Sequence, residues 1–183
     1  MEMKAIFTPV KNRVPPSEAF IKELTAWCKS EDPEVFAPNK LKDIYSLAHE
    51  DLGPYDTMLY RRAAMCEVLR VLAAFESSYN WKEGHDKSNP KENNVLTMSA
   101  GAFQISPDSM NLHSSLADYA MKFEVYRKPA AFRALMMSNH AFAMGYAARL
   151  LRVNTRHNGP VRDGHIFPEL RREAVREFMN LIR

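Results

Sequence analysis

Ala73-Ala74-Phe75-Glu76-Ser77-Ser78-Tyr79-Asn80 decides how this chain is read. The segment closes a long apolar run in which Met65, Leu69, Leu72 and Glu76 follow one another at spacings of four, three and four. That is the repeat of one helix face, so a helix is predicted from about Thr57 to Ser77. Glu76 falls on its buried stripe, one turn from the C-terminal end. A carboxyl placed there is poorly hydrated. Lost hydration penalises the charged form, so its pKa is expected to rise toward neutrality.

Further along stands Ser99-Ala100-Gly101-Ala102-Phe103-Gln104-Ile105-Ser106, a small-residue turn carrying an aromatic and an amide. Here the backbone can approach a ligand closely. Phe103 is expected to pack against the Glu76 helix and Gln104 to hydrogen-bond a bound ligand. Ser77 is either a hydroxyl of the site or a simple helix-end residue.

The remaining chain reads as mostly helical. Residues 1–16 form an extended arm. Ser17 caps a helix bearing Phe20, Ile21, Leu24, Trp27 and Cys28. A second helix is expected over Lys40 to Glu50, with Leu41, Ile44, Tyr45 and Ala48 inward. Residues 79–98 are polar and broken by Gly84, Asn89-Pro90 and Asn93-Asn94, which predicts an irregular loop with a small β-hairpin near Val95-Leu96-Thr97. Short helices follow from Pro107 and over Ser114 to Phe123. One long helix runs from Pro129 to Val153, and a last amphipathic helix starts at Pro168. No repeat or domain boundary is evident, so residues 1–183 are expected to form a single domain.

Composition bounds the function. Hydrophobic residues make up 46% and charged residues 26% of the 183, as in ordinary globular domains. The net charge of +3 is mild, and no basic cluster alternates with aromatics as a nucleic-acid groove requires. No segment approaches membrane-spanning length. Cys28 and Cys66 each fall on an apolar helix face, where two buried thiols are expected rather than a disulfide. No spacing suggests a metal site, and no cofactor is expected.

Glu76-Ser77-Ser78-Tyr79-Asn80 and Gly101-Ala102-Phe103-Gln104-Ile105, with His157-Asn158-Gly159-Pro160-Val161 as a third element, resemble the lysozyme-like superfamily, in particular goose-type lysozymes and soluble lytic transglycosylases. The resemblance spans about residues 58–161 and leaves residues 1–50 uncovered. It implies a mainly α (α+β) lysozyme-like fold whose small β excursion lies beside the cleft. It also implies a peptidoglycan-cleaving site in which Glu76 is the acid, with Ser77, Gly101, Ala102, Phe103, Gln104, His157 and Asn158 about the substrate. A hydrolase of this kind that inverts configuration needs a second carboxylate to position water, about 6.5–9.5 Å from the first. Asp86 is the first candidate, then Glu83 and Asp108. A lytic transglycosylase needs none, but the Tyr that assists it in the family is replaced here by His157. Tyr79, Trp81 and Tyr146 are either sugar-stacking platforms or core.

The expected function is therefore an N-acetylmuramidase acting on the β-1,4 bond between N-acetylmuramic acid and N-acetylglucosamine. A lytic transglycosylase on the same bond and a silent wall-binding protein are the alternatives. The N-terminus lacks a secretory signal. A start in the cytoplasm and action at a cell wall would then fit an injected antibacterial effector, with an immunity protein plugging its cleft, or a phage endolysin.

Overall fold

The computed structural model describes residues 5–183, so the first four residues of the expected arm lie outside the described residues. More than half of the chain is helical and no sheet forms among the described residues. Nine α-helices are present there: α1 Glu18–Ser30, α2 Ile44–Leu47, α3 His49–Leu52, α4 Met58–Ser77, α5 Ser114–Lys122, α6 Pro129–Ser138, α7 His140–Val153, α8 Gly159–Arg162 and α9 Arg172–Ile182. None is long and apolar enough to cross a membrane.

The helix α4 is the axis of the fold. The periodicity predicted a single buried stripe, but every residue from Ala63 to Ala74 is buried. The reason is that α1, α7, α8 and α9 pack around it and cover all its faces. Full burial extends to Glu67 and Arg70, which pair at 2.7 and 2.8 Å. Glu67 also accepts from the backbone N–H of Arg171, just before α9, and Arg70 donates to the carbonyl of Thr8. Near the N-terminus, the amides of Ala5 and Ile6 donate to the Glu177 carboxylate of α9, and Ile6 and Val10 enter the core.

In α1 the Ser17 side chain accepts from the Phe20 amide, and Phe20, Ile21, Leu24, Trp27 and Cys28 are buried. Cys28 and Cys66 are both buried free thiols. Burial, reinforced by the neighbouring Cys28, pushes the Cys66 thiol well above its ordinary range.

Four expectations need correction. The helix expected over Lys40 to Glu50 is two short ones. The Asp43–Ser46 capping box fixes the first at Ile44, leaving Leu41 exposed. The long helix from Pro129 to Val153 is broken at Asn139, whose backbone is extended (φ −112°, ψ 92°) and whose side chain accepts from the Phe142 amide, so it starts α7 afresh. Pro168 belongs to a separate 3-10 turn over Phe167–Glu169, before α9 begins at Arg172. No hairpin forms at Val95-Leu96-Thr97. Val95 and Leu96 are exposed, and Asn94 instead caps the turn by accepting from the Leu96 and Thr97 amides. The β excursion is reduced to one isolated bridge between Ala100 and Ile105.

Candidate active site

The end of α4 is held by unusual backbone. Ser78 and Tyr79 both lie in the left-handed region (φ 53° and 66°), a conformation that costs non-glycine residues energy and that surrounding contacts must enforce. The enforcing contacts are local. The amides of Ser78 and Tyr79 donate back to Ala74 and Ala73, and the Asn80 amide donates to Ser77 Oγ. Ser77 Oγ in turn donates to the carbonyl of Ala102 at 2.9 Å. Ser77 thus ties the helix end to the Gly-Ala-Phe-Gln turn and stands behind the cleft.

That turn is equally constrained. Gly101 has φ 75°, and a Cβ there would sit 2.5 Å from the carbonyl oxygen of Met136 in α6. Only glycine fits both the angle and the gap. Gly101, Ala102 and Phe103 are buried, and Phe103 meets Trp81 edge-on at 5.9 Å. Gln104 does reach the cleft. Its amide nitrogen, however, already donates to Gly101 O at 3.0 Å and Glu83 O at 3.4 Å, so the expected sugar contact from that group is taken up by the fold.

Glu76 opens onto a cleft of about 500 Å³ that also receives Asp86, Glu92, Asp108, His157 and Asn158. Asn158, buried just ahead of α8, donates through Nδ2 to Glu76 Oε1 at 3.3 Å and to Phe103 O at 3.2 Å. The three sequence elements therefore meet at one point: helix end, turn and Asn158. Burial lifts the Glu76 carboxyl to about 7, the charge of Glu92 adds to the rise, and the Asn158 bond opposes it. A carboxyl so placed keeps its proton near neutral pH and can donate it.

Glu92 is the residue that sequence reasoning missed. Its Oε2 accepts from Ser99 Oγ at 2.8 Å, the Ser99 amide at 3.0 Å and the Asp86 amide at 3.2 Å, and its Oε1 accepts from Asn89 Nδ2 at 3.3 Å. These four donors aim the carboxylate and carry no charge to neutralise it. No motif marks Glu92 within its polar loop. The only hint is Ser99, at the start of the glycine turn, which needs a partner. Asp86 lines the cleft but is exposed. Ser88 donates to its Oδ1 through both hydroxyl (2.6 Å) and amide (2.8 Å), holding the carboxyl below its ordinary range and occupying it as a turn cap. Glu83 accepts from Asn80 Nδ2 and does not line the cleft. Asp108 lines it and accepts from Ser106 Oγ. His157 is there too. Burial lowers its pKa against the pull of Asp108, leaving a neutral imidazole at pH 7.

The aromatic platforms do not line this cleft. Tyr146 is fully buried and bonded to Ser109 Oγ, Tyr79 lies edge-on to Phe20, and Trp81 stacks on His140 at 4.0 Å. No protein-family model, curated protein or solved structure matches the chain.

Proposed function

We propose that this protein is a glycoside hydrolase of lysozyme-like architecture, an N-acetylmuramidase that cleaves the β-1,4 bond between N-acetylmuramic acid and N-acetylglucosamine in peptidoglycan. One observation carries the reading: a carboxyl with a pKa of about 7 at the end of a buried helix, sharing its cleft with an oriented second carboxylate, Glu92. Glu76 donates its proton to the glycosidic oxygen as the bond from that oxygen to the anomeric carbon breaks. Glu92 accepts a proton from water, whose oxygen bonds to the anomeric carbon from the opposite face. The products are two free sugar ends, with configuration inverted. Asn158 holds Glu76 in place, and Phe103 O holds Asn158.

The test is mass spectrometry of peptidoglycan digested by the wild type, Glu76→Gln and Glu92→Gln. The expected products end in reducing N-acetylmuramic acid, and each variant should lose roughly 10²–10⁴-fold in rate with its fold intact. Undiminished cleavage by Glu76→Gln would sink the assignment of the acid. A 1,6-anhydro product would mean that the muramic 6-hydroxyl, not water, attacks, and Glu92 would lose its role. An inert wild type would leave a wall-binding protein.

A further inference from the structure

Two backbone carbonyls settle which way the Gln104 amide points. Its Nε2 donates to Gly101 O at 3.0 Å and to Glu83 O at 3.4 Å. Both partners only accept, so the nitrogen must face them and Oε1 must face the other way. There Ser99 Oγ lies 2.8 Å from Gln104 Oε1 and 2.8 Å from Glu92 Oε2. A hydroxyl carries one proton. Gln104 Oε1 and the Glu92 carboxylate are both acceptors, so they compete for it. Gln104 holds this place against its own backbone, which is left-handed at φ 45°. Glycine would relieve that cost but would bring no amide between Glu83 and Ser99.

The two oxygens of Glu92 are unequal. Oε2 accepts from the Ser99 hydroxyl and from the amides of Ser99 and Asp86, whereas Oε1 accepts only from Asn89 Nδ2 at 3.3 Å. Oε1 is thus the oxygen left for a water. Every donor on a carboxylate stabilises its charge and weakens its hold on a proton. The two amides are fixed by the backbone. The Ser99 proton is not, because it can turn about the Cβ–Oγ bond toward Gln104.

We infer that Ser99 and Gln104 are positioning residues for Glu92, in which the Gln104 acceptor draws the Ser99 proton from the carboxylate and leaves Glu92 ready to take a proton from water. The inference rests on the proposed hydrolase and assigns Gln104 a role behind the carboxylate rather than on the sugar. As the water proton passes to Glu92 Oε1, the charge that held the Ser99 proton disappears. That proton turns to Gln104 Oε1, and Ser99 remains a neutral hydroxyl throughout.

Two substitutions act on Glu92 in opposite directions. Ser99→Ala removes a donor, so Glu92 should take its proton at a pH about one unit higher. Gln104→Met removes the competing acceptor and commits the Ser99 proton to Glu92, so the midpoint should fall, by less. Gln104→Gly removes the same acceptor where the backbone suits glycine, and serves as the second variant. The midpoint is read from the carbon-13 shift of the Glu92 carboxyl in the full chain carrying Glu76→Gln, with circular dichroism checking each fold. Glu76 of α4, Asp86 and Lys91 of the loop, Asp108 and His157 also face this cleft. The Ser99 and Gln104 side chains bond to none of them, so the variants share one background. With Glu76 restored, the acidic limb of the pH–rate profile on peptidoglycan should follow the midpoint, upward for Ser99→Ala and downward for Gln104→Met. Midpoints that stay in place, or move the same way in both variants, overturn the inference whether or not the protein cleaves. Opposite shifts with a limb that does not follow overturn the positioning role. Opposite shifts in a protein that cleaves nothing overturn the proposed hydrolase and leave the hold of the pair on Glu92 standing.

Discussion

Glu76 is stabilised as an acid by what surrounds it, and this fixes the sign of two measurements. Its folded pKa of about 7 exceeds the ordinary 4.5. The folded protein therefore holds this proton over a pH range in which the unfolded chain releases it. The resulting stability is fully present below pH 4.5, declines as pH rises, and is gone above pH 7. The difference is on the order of 3 kcal/mol, less where solvent reaches the carboxyl. Glu76→Gln carries no such proton, so it should match the wild type in thermal melts near pH 4 and melt several degrees higher near pH 8. Equal melting temperatures at both values would show that the carboxyl is hydrated like a surface group. Asn158→Ala acts on the same proton. The Asn158 bond holds the Glu76 pKa down, so its removal should raise it, and the basic limb of the pH–rate profile should move to higher pH while the rate falls. An unmoved limb would mean that the amide does not act on the Glu76 carboxyl.

Among the elements, the end of α4 and the glycine turn form one unit, and here the reading of the sequence was most informative. The helix and its limit near Ser77 were legible, because apolar periodicity is a local signal, whereas the meeting of Gly101–Gln104 with Asn158 spans some 55 residues and was implied only by the resemblance. The roles within the unit were not legible. Ser77, Gly101, Ala102 and Phe103 form the support for the site, since the same small and apolar residues that suit a ligand also suit a tight packing joint. Glu92 was invisible because the loop that carries it has no period, and only the fold returns it to Glu76. The split at Asn139 shows the same limit: one side chain capping Phe142 N outweighed an uninterrupted helical pattern. Gly101→Ala tests the joint. A methyl group 2.5 Å from Met136 O, at φ 75°, should cost about 1–3 kcal/mol in urea denaturation. It should also lower activity by more than the unfolded fraction explains, because the turn that seats Asn158 must shift. Wild-type stability in this variant would mean that α6 yields without cost.

At the scale of the whole molecule, α4 is covered by the ends of the chain. Its core residues were legible in the sequence, but the closure was not, because charged residues within an apolar run read as surface. Glu67 and Arg70 are instead fully buried, and their pair is where the termini converge: Arg70 holds Thr8 O near the N-terminus, and Glu67 holds the Arg171 amide at the entrance to α9. Removing one member leaves the other without its charge partner in the core, whereas removing both takes the buried charges away together. Arg70→Met and Glu67→Gln should therefore each lose about 3–5 kcal/mol in urea denaturation. The double variant Glu67→Met/Arg70→Leu should lose less than the two losses added together, and Glu76 chemistry should survive in it, because the pair lies two turns up the helix from the cleft. The N-terminal segment and α9 should also lose amide-exchange protection together in either single variant. Additive losses, or exchange confined to one end, would mean that the pair does not link the two ends of the chain.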